Sequence, residues 1–282
     1  MTPPSLPADD DHAALAAVAA HGGALCTVVG IEGSWSRRIG AQLAVLPDGT
    51  LAGSLADGCL ERALADQARD GEARVLRYGA GSPFVDIRLP CGSGVEVMVD
   101  PAPNAALVAG AARALARREA VSLPVGGGFT RRYLPRLRLI VLGSGPEATA
   151  LVALARAQGV EVLLATPHGE GGDTGLSLGQ PPALPDDWAP DAWTAVAVLF
   201  HDHEWERLLV PWALRTPAFY VGAQGGARAR ENRLAHLATL GLGTAAAERL
   251  RSPIGLIPAA RTPSVLALSV LADVVGAYEA LS

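Results

Sequence analysis

The sequence predicts an α/β fold, with a mixed α+β N-terminal domain followed by a second domain built on a parallel sheet. The second domain has the clearer pattern: a buried-type strand over residues 137–142, a glycine turn, a helix over 146–158 and a strand over 160–165 form one βαβ unit. The first domain instead contains a hairpin signal, Asp48-Gly49. The predicted second domain is therefore Rossmann-like, and a chain of 282 residues is long enough for two domains.

The N-terminal domain is expected over residues 11–120, after a polar, proline-rich tail at 1–10 that we expect to be disordered. Gly, Pro and Asp residues mark the ends of its predicted helices and strands. We predict helices over residues 11–21, 58–70 and 105–119, and strands over residues 25–29, 42–46, 74–78, 84–89 and 95–99. A Gly- and Arg-containing stretch, residues 121–135, is predicted to be a linker.

The C-terminal domain is expected over residues 136–282. Beyond its βαβ unit we predict strands over 194–200 and 218–221, helices over 204–214 and 263–281, and a Gly- and Pro-rich loop over 169–190. The last helix is apolar over most of its circumference. We therefore expect it to dock on the body of the protein or on a second copy in a homodimer.

Composition excludes several classes of function. The net charge is −5 and the 23 basic residues, all of them Arg, are dispersed, so nucleic acid is not an expected partner. Without Lys the chain has no Schiff-base lysine and no phosphate-loop lysine, and anions must bind to Arg or backbone N–H groups. No apolar run is long enough to span a membrane, and the start has no signal-peptide pattern, so we expect a cytoplasmic location and no membrane partner.

The turn Gly143-Ser144-Gly145 follows a strand and opens a helix, in the pattern GxGxx(G/A). Gly143 and Gly145 would let the backbone approach a phosphate, whose charge the helix N-terminus attracts. The acid expected about 20 residues later for a ribose hydroxyl is absent, since the second strand ends at Thr166, and Glu147 lies close to the phosphate position. Two interpretations stay open: a phosphate site, or only a tight strand-to-helix link.

A second candidate anion site is the loop between two predicted strands that contains Gly33, Ser34, Arg37 and Arg38. Two guanidinium groups beside small residues can grip a phosphate or carboxylate with paired hydrogen bonds. The alternative is a solvated loop.

The three cysteines lack zinc-site spacing and are odd in number, which favours free thiols. Cys91, with Gly92, lies in a Pro- and Gly-rich turn typical of an accessible, reactive thiol. Cys59 follows Gly58 in the first turn of a helix, where the helix dipole favours thiolate. Cys91 and Cys59 are therefore the candidate catalytic residues, whereas Cys26 is expected in the core.

Two further candidate positions follow strands of the predicted parallel sheet, at the edge where ligands collect. His201 and Asp202 come after the strand over 194–200. A metal site is a weaker interpretation there, because adjacent residues rarely converge on one ion and Asp202 can cap a helix. Gly225 and Arg228 combine a glycine turn, a helix N-terminus and a cation, which together favour an anion.

These segments resemble the XdhC/CoxI family of accessory proteins for molybdenum hydroxylases such as xanthine dehydrogenase. The resemblance covers about nine tenths of the chain and is carried by the Gly-Ser-x-x-Arg-Arg-x-Gly-Ala match at residues 33–41, the Cys91-Gly92 pair and His201-Asp202. The chain departs from the family where Ala56-Asp57 interrupts a run of glycines, where Phe200 replaces Thr, and where 225–228 keeps only part of a Gly-Ser-Arg-Arg segment.

The resemblance implies a cofactor-handling chaperone more than a turnover enzyme. The implied ligand is molybdenum cofactor, as molybdopterin or as a dinucleotide form, bound by the glycine, arginine and His-Asp positions named above. The implied function is support of cofactor sulfuration and insertion into an apo molybdenum hydroxylase of the xanthine dehydrogenase type, with a cysteine desulfurase as a further candidate partner.

Two functions from other classes stay open. An NAD(P)-dependent oxidoreductase would use the Rossmann-like domain with Cys91 or His201, and Thr166 would tolerate the 2′-phosphate of NADP where an acid would not. A non-catalytic partner-binding module is the other alternative.

Overall fold

The computed structural model describes residues 12–56, 58–69, 71–82, 93–167 and 174–281, with the backbone alone at Cys59. The chain forms two compact units, residues 1–135 and 136–282. The predicted disordered tail, residues 1–10, and the predicted strand over 84–89 lie outside the described residues.

The first unit is built on a five-stranded antiparallel sheet in the order β3-β2-β1-β5-β4. Its elements in chain order are α1 (Ala13–His21), β1 (Ala24–Glu32), β2 (Gln42–Val45), β3 (Leu51–Gly53), α2 (Cys59–Gln67), β4 (Arg74–Gly79), β5 (Gly94–Asp100), α3 (Ala105–Ala116), β6 (Val121–Gly126) and β7 (Phe129–Tyr133).

Each face of this sheet is covered by a different set of helices, because side chains alternate along a strand. In β1, Cys26 and Val28 are fully buried in a core that includes Leu60 and Leu64 of α2. Leu25, from the same strand, joins a core on the opposite face with buried residues of α1 and α3. The sheet is thus sandwiched between helices.

Residues 121–135 form a β-hairpin rather than the predicted linker. Strands β6 and β7 pair antiparallel from Val121 opposite Tyr133 to Gly126 opposite Phe129. Burial alternates along both strands, and Leu123, Val125 and Tyr133 are buried in the core that α1 and α3 cover. The hairpin belongs to the first unit because its inward residues complete that unit's core.

The second unit contains a six-stranded parallel sheet in the order β10-β9-β8-β11-β12-β13. Its elements in chain order are β8 (Arg138–Gly143), α4 (Pro146–Ala157), β9 (Glu161–Thr166), β10 (Thr174–Gly175), β11 (Thr194–Leu199), α5 (His203–Arg215), β12 (Tyr220–Ala223), α6 (Ala227–Thr239), α7 (Thr244–Arg249), β13 (Leu250–Arg251) and α8 (Pro263–Glu279). The predicted loop over 169–190 therefore includes a short strand, β10.

The strand order of this unit is that of a Rossmann fold, 3-2-1-4-5-6 when its strands are counted from β8. Helices α4 and α8 cover one face, where Leu139 and Val141 are buried, and α5 and α6 cover the other, where Ile140 and Leu142 are buried. The order in which the chain adds strands to the sheet reverses between β8 and β11. Ligands of such sheets bind outside the carboxyl ends of the strands at this reversal.

Helix α8 packs against α4 and is tied to the sheet by a hydrogen bond of 2.8 Å from Tyr220 Oη to Asp273 Oδ2. Its other side remains exposed. None of the helices in the described part of the chain has the length and hydrophobicity needed to cross a membrane.

Candidate functional site

In the first unit, a serine fixes the start of the loop that was predicted to bind anions. Gly33 has a left-handed φ of 78°, which places Ser34 against Ser93, the residue just before β5. The Ser93 hydroxyl accepts a hydrogen bond from Ser34 N at 3.2 Å and donates one to Ser34 O at 2.7 Å. The loop is therefore held at its first residues and does not depend on a ligand for that order.

The two arginines of this loop have different surroundings. Arg37 is half-buried and donates to Ser54 Oγ and to Ser36 O, each at 3.3 Å. Arg38 is exposed. Two N–H groups in the loop, Arg37 Nε and Trp35 Nε1, are buried with no acceptor among the described residues. Buried donors are nearly always paired in folded proteins, so these atoms mark a place where an acceptor is expected.

The turn before α2 is organised by Glu61. Its carboxylate accepts hydrogen bonds from the backbone N–H of Ala56 at 2.6 Å, of Leu55 at 2.9 Å and of Gly58 at 2.8 Å. Burial acts to raise the pKa of Glu61, but these backbone donors outweigh it and hold the pKa below its ordinary value. Ser54, the partner of Arg37, lies 3.4 Å from Glu61 Oε1, so this turn and the arginine loop are connected.

Gly58 and Cys59 lie at the end of that turn. Gly58 has a φ of 99°, a conformation that favours glycine, and Cys59 is the first residue of α2. Cys91 and Gly92, the other predicted thiol position, lie outside the described residues. Cys26 is fully buried, and burial raises the pKa of its thiol to about 12, which makes it chemically inert.

Arg131 of β7 is a buried cation that the sequence patterns did not single out. Its guanidinium lies 5.1 Å from the centre of the Tyr133 ring and close to Gly40, where an added Cβ would be 2.6 Å from Nη1. Burial lowers the pKa of Arg131, and nearby Arg38 lowers it further. The alternation of Leu123 and Val125 with Ser122, Pro124 and Gly126 was the available signal for a strand pair here. The approach to Gly40 is long-range and left no local signal.

In the second unit, the predicted glycine turn lies at the switch point, at the carboxyl end of β8. Gly143 is required by the neighbouring strand, because a Cβ on it would collide with the backbone oxygen of Leu199 in β11. Gly145 has a φ of 88° and precedes α4. The first glycine is thus explained by strand packing and the second by backbone conformation.

A carboxylate lies beside this turn. Glu147, in the first turn of α4, has Oε1 at 3.5 Å from Nε2 of His201, which follows β11. Its second oxygen, Oε2, is buried with no donor in the described part of the chain. The structure therefore brings the predicted residue His201 to the glycine turn, but through an acid, which repels a phosphate.

Next to this pair, a depression of about 560 Å³ opens between the ends of β11 and β12 and the start of α6. It is lined by Phe200, His201, His203, Gln224, Gly225, Gly226, Ala227, Arg228, Ala229 and Asn232. Arg228 is exposed in the first turn of α6, so a guanidinium and a helix N-terminus face the same space. This combination suits an anion.

The other arginines of α6 have structural partners. Arg233 is buried, pairs with Glu206 through Nε at 2.8 Å and Nη2 at 2.6 Å, and donates to Ser252 Oγ at 2.7 Å. Arg230 donates to Ser252 O at 2.8 Å. They anchor α6 to α5 and to the chain after β13, which leaves Arg228 as the cation of this helix that faces the depression.

Asp202 accepts a hydrogen bond from Glu204 N at 2.9 Å and caps α5. The cap interpretation is therefore the one with geometric support. In the part of the chain that the structure describes, no group of three or more His, Cys, Asp and Glu side chains is arranged to hold a metal ion.

The candidate residues thus form two groups, each within one unit. Those of the first unit surround the arginine loop and the Glu61 turn: Gly33, Ser34, Arg37, Arg38, Gly58 and Cys59. Those of the second unit lie at the carboxyl edge of the parallel sheet: Gly143, Gly145, His201, Asp202, Gly225 and Arg228.

Comparison with known proteins identifies the same two parts. A model described as "XdhC and CoxI family" matches residues 16–79, and a model described as "XdhC Rossmann domain" matches residues 139–274. The molybdenum cofactor insertion chaperone PaoD of Escherichia coli (strain K12) is 31% identical over 294 residues, which cover 94% of this chain and 88% of that protein.

Among solved structures, one described as a xanthine dehydrogenase from Bacillus halodurans matches with a TM-score of 0.69 and 19% identity, over 92% of each chain. At that identity the likeness shows the fold alone. The predicted fold class, with its Rossmann-like second domain, is confirmed, and so is the resemblance on which the family assignment rests.

Proposed function

The chain belongs to the XdhC and CoxI family, and on this premise we propose that it is an accessory protein that binds molybdenum cofactor and inserts it into a molybdenum enzyme. The observation that carries the proposal is the 31% identity, over 94% of the chain, to a relative named as a molybdenum cofactor insertion chaperone. Because this likeness extends through both compact units, the proposal concerns the whole chain.

The polar groups of the described residues suit a phosphate-bearing pterin. In the first unit, Arg37 Nε and Trp35 Nε1 are buried donors that a phosphate oxygen could satisfy, with the exposed Arg38 beside them. In the second unit, Arg228 and the N-terminus of α6 offer a place for a further anionic group, as a dinucleotide form would carry.

A finer proposal concerns the client and sulfuration. We propose a molybdenum hydroxylase of the xanthine dehydrogenase type as the client and a cysteine desulfurase as the sulfur source. The desulfurase persulfide would transfer its outer sulfur to the Cys91 thiolate, which leaves the desulfurase cysteine as a thiolate and Cys91 as a persulfide. The support for Cys91 is its sequence setting in a Pro- and Gly-rich turn. Cys59 is the second candidate thiol.

The test measures binding and transfer separately. The purified protein is incubated with molybdenum cofactor released from a molybdenum enzyme and separated from free cofactor, and bound molybdenum and pterin are quantified. We expect both to co-elute with the protein, and the loaded protein to activate an apo-hydroxylase. A wild-type protein that retains neither molybdenum nor pterin would contradict the proposal.

Cys91→Ser is the matched variant for this test. We expect cofactor retention to fall at least about 10-fold, the loss typical when a group that supports a metal site is removed. The melting temperature serves as the control for folding. Unchanged retention by a folded variant would exclude Cys91 from the site and leave binding by the remaining residues intact.

The NAD(P)-dependent oxidoreductase alternative has less structural support. The Glu147 carboxylate lies beside the turn where a dinucleotide's pyrophosphate would bind. Thr166 is buried, and its carbonyl accepts a hydrogen bond from Leu176 N at 2.6 Å. Titration with NADH and NADPH would revive this alternative if either bound at micromolar concentration.

We also propose a homodimer in the cytoplasm. Helix α8 exposes an apolar stripe with Val265 at 39%, Leu268 at 56% and Val275 at 37% of their surface accessible. A second copy could cover such a stripe in a symmetric contact. Thiol-based sulfur handling suits a reducing compartment, which is the support for the cytoplasm.

A further inference from the structure

A buried ion pair supports the depression between the ends of β11 and β12 and the start of α6. Glu206 of α5 and Arg233 of α6 are both buried and share two hydrogen bonds, of 2.8 Å from Nε and 2.6 Å from Nη2. Arg233 also donates to the backbone oxygen of Gln224, which leads into the turn at Gly225. A buried ion pair contributes little net stability, so its role here is best explained by the groups that it positions.

One of these groups is the imidazole of His203, the first residue of α5. Its Nδ1 lies 3.0 Å from Glu206 Oε2. Because the Glu206 carboxylate already accepts hydrogen bonds from Arg233, it serves His203 as an acceptor too, and Nδ1 carries the hydrogen. The other ring nitrogen, Nε2, is left for a ligand or for a proton from solvent. Glu206 therefore fixes the tautomer of a histidine that lines the depression.

The charges around His203 balance each other. Three carboxylates and three guanidinium groups come from α5, α6 and the turn before α5: Asp202, Glu204, Glu206, Arg207, Arg228 and Arg233. Glu206 pairs with Arg233, and Glu204 lies 3.6 Å from Arg207. A proton on His203 therefore gives this part of the sheet edge a net positive charge, which attracts an anion.

Two other histidines lie near this space, and each is differently committed. His201 Nε2 is 3.5 Å from Glu147 Oε1, so a proton on His201 only offsets the charge of that carboxylate. His236 lines the adjoining groove between α5 and α6, and its Nε2 is 2.9 Å from the backbone oxygen of Arg207. That oxygen has no donor within the helix, because Pro211 lacks an N–H group. Protonation of His203 is thus the step that makes the depression positive.

Arg228 is the second cation of this site. It lines the depression with His203, is exposed, and forms no ion pair within the part of the chain that the structure describes. At Gly226, which lines the same space, an added Cβ would have no atom within 4 Å, so the backbone leaves room for a ligand.

We propose that His203, protonated at Nε2, and Arg228 bind a diphosphate diester, and that binding takes up the proton on Nε2 from solvent. Each phosphate of such a diester carries one negative charge, which an imidazolium or a guanidinium matches with a charge-assisted hydrogen bond. Resting on the function proposed above, the diester is that of a dinucleotide form of molybdenum cofactor. Affinity for the ligand therefore rises as the pH falls through the range in which histidine titrates.

The test uses the full-length protein and CDP-glucose, a diphosphate diester whose own charge is constant near neutral pH. We expect affinity to fall at least about 5-fold between about pH 6 and pH 8, which is the lower end of typical coupling between two binding events. Calorimetric titration in two buffers of different ionisation enthalpy measures the proton uptake. His203→Gln should bind more weakly at the lower pH and show neither pH dependence nor proton uptake. His21→Gln, at an exposed histidine of the first unit, should keep both.

A wild-type affinity that is independent of pH, or a pH dependence that persists in folded His203→Gln, would overturn the inference. So would loss of the pH dependence in His201→Gln alone, or binding of cytidine as tight as that of CDP-glucose. Failure of the proposed function gives a different result, in which CDP-glucose binds with proton uptake but molybdenum cofactor is neither retained nor transferred. Cofactor retention by His203→Gln with the wild-type pH profile would remove this inference and leave the proposed function standing.

Discussion

At the scale of single residues, neighbouring arginines in the loop at residues 33–38 have separable tasks. Arg37 is half-buried and donates to Ser54, whose hydroxyl also lies near Glu61. Arg38 is exposed at the same loop and influences the buried Arg131. The first guanidinium therefore supports the loop, whereas the second is exposed to solvent.

We predict that Arg38→Ala weakens binding of the cofactor's phosphate while the free energy of unfolding changes by only about 0.5 kcal/mol, as for most surface substitutions. Loss of a charge-assisted hydrogen bond should lower affinity by about 10-fold and reduce its salt dependence. Cofactor titrations at two salt concentrations measure both effects. Arg69→Ala, exposed on the first unit, is the matched control, and equal behaviour of the two variants would count against a ligand role for Arg38.

Arg37→Ala combined with Arg38→Ala should weaken binding further and also destabilise the loop, since the tie to Ser54 is lost. We therefore expect the free energy of unfolding of the double variant to be about 0.5–1.5 kcal/mol lower than that of Arg38→Ala alone, which is the net value of a typical hydrogen bond. Urea unfolding followed by circular dichroism measures the difference.

The lowered pKa of Glu61 should make the free energy of unfolding depend on pH. Its folded-state pKa lies below the ordinary value of 4.5, so its contribution is present above that value and is lost as the pH falls through the folded pKa. At pH 7, Glu61→Gln should lower the free energy of unfolding by about 1–3 kcal/mol, because backbone donors lose a charged acceptor.

The difference in the free energy of unfolding between Glu61→Gln and wild type should narrow as the pH falls below 4.5 and through the folded-state pKa of Glu61, because the native carboxylate then becomes protonated. Urea unfolding at several pH values gives the curve. Glu72→Gln, an exposed glutamate after the same helix, should show no such gap. A pH-independent difference for Glu61→Gln would mean that the carboxylate's charge is not what holds the turn.

At the scale of elements, local patterns predicted most of the sheet strands. The six residues of β8 are all buried, and a continuous apolar run is what such a strand requires. The hairpin of β6 and β7 was missed, although Leu123 and Val125 alternate with Ser122 and Pro124. A buried arginine on the opposite strand hid the pattern, because Arg131 is inward-facing and a charged residue normally indicates the solvent side.

The candidate site was predictable only in part, for a related physical reason. Glycine turns and strand ends are local, so His201 and Gly225 were expected at one edge of the sheet. Glu147 lies close to the phosphate position in the sequence, but its contact with His201 joins the first turn of α4 to the turn after β11, which are distant in the chain. Whether a buried oxygen or N–H group has a hydrogen-bond partner depends on its surroundings in three dimensions, and the periodicity of the sequence carries no information about that.

The exposed stripe of α8 gives a prediction at this scale. Leu268→Glu should convert the proposed dimer to a monomer without unfolding the second unit, because Leu268 is 56% exposed and the packed face of the helix is untouched. Light scattering gives the mass and circular dichroism the helix content. Leu240→Glu, at a leucine 42% exposed on another surface, should keep the wild-type mass. Loss of the dimer in both variants, or in neither, would exclude α8 as the interface.

At the scale of the whole molecule, each of the two compact units has its own hydrophobic cores, and these cores decide where one unit ends and the next begins. The first unit needs the β6–β7 hairpin, whose Leu123, Val125 and Tyr133 are buried with residues of α1 and α3. The second has its own two cores on the faces of the parallel sheet. The division therefore falls after residue 135, and the predicted linker is inside the first unit.

A pair of fragments tests this division. We expect a fragment of residues 1–135 to fold with a cooperative thermal transition, and a fragment of residues 1–120 to aggregate, because removal of the hairpin exposes part of the core. A fragment of residues 136–282 should fold alone. Cooperative unfolding of the shorter N-terminal fragment would show that the hairpin is dispensable.

Gly143 can be maintained by the packing of the sheet, whether or not the turn binds a dinucleotide. A side chain there would collide with the backbone of Leu199, so selection for a well-formed sheet is enough to maintain the glycine. A lineage could lose its dinucleotide, admit an acid one turn later at Glu147, and still carry a recognisable fingerprint. The fingerprint would then report how closely β8 and β11 pack, and would not by itself indicate a bound dinucleotide.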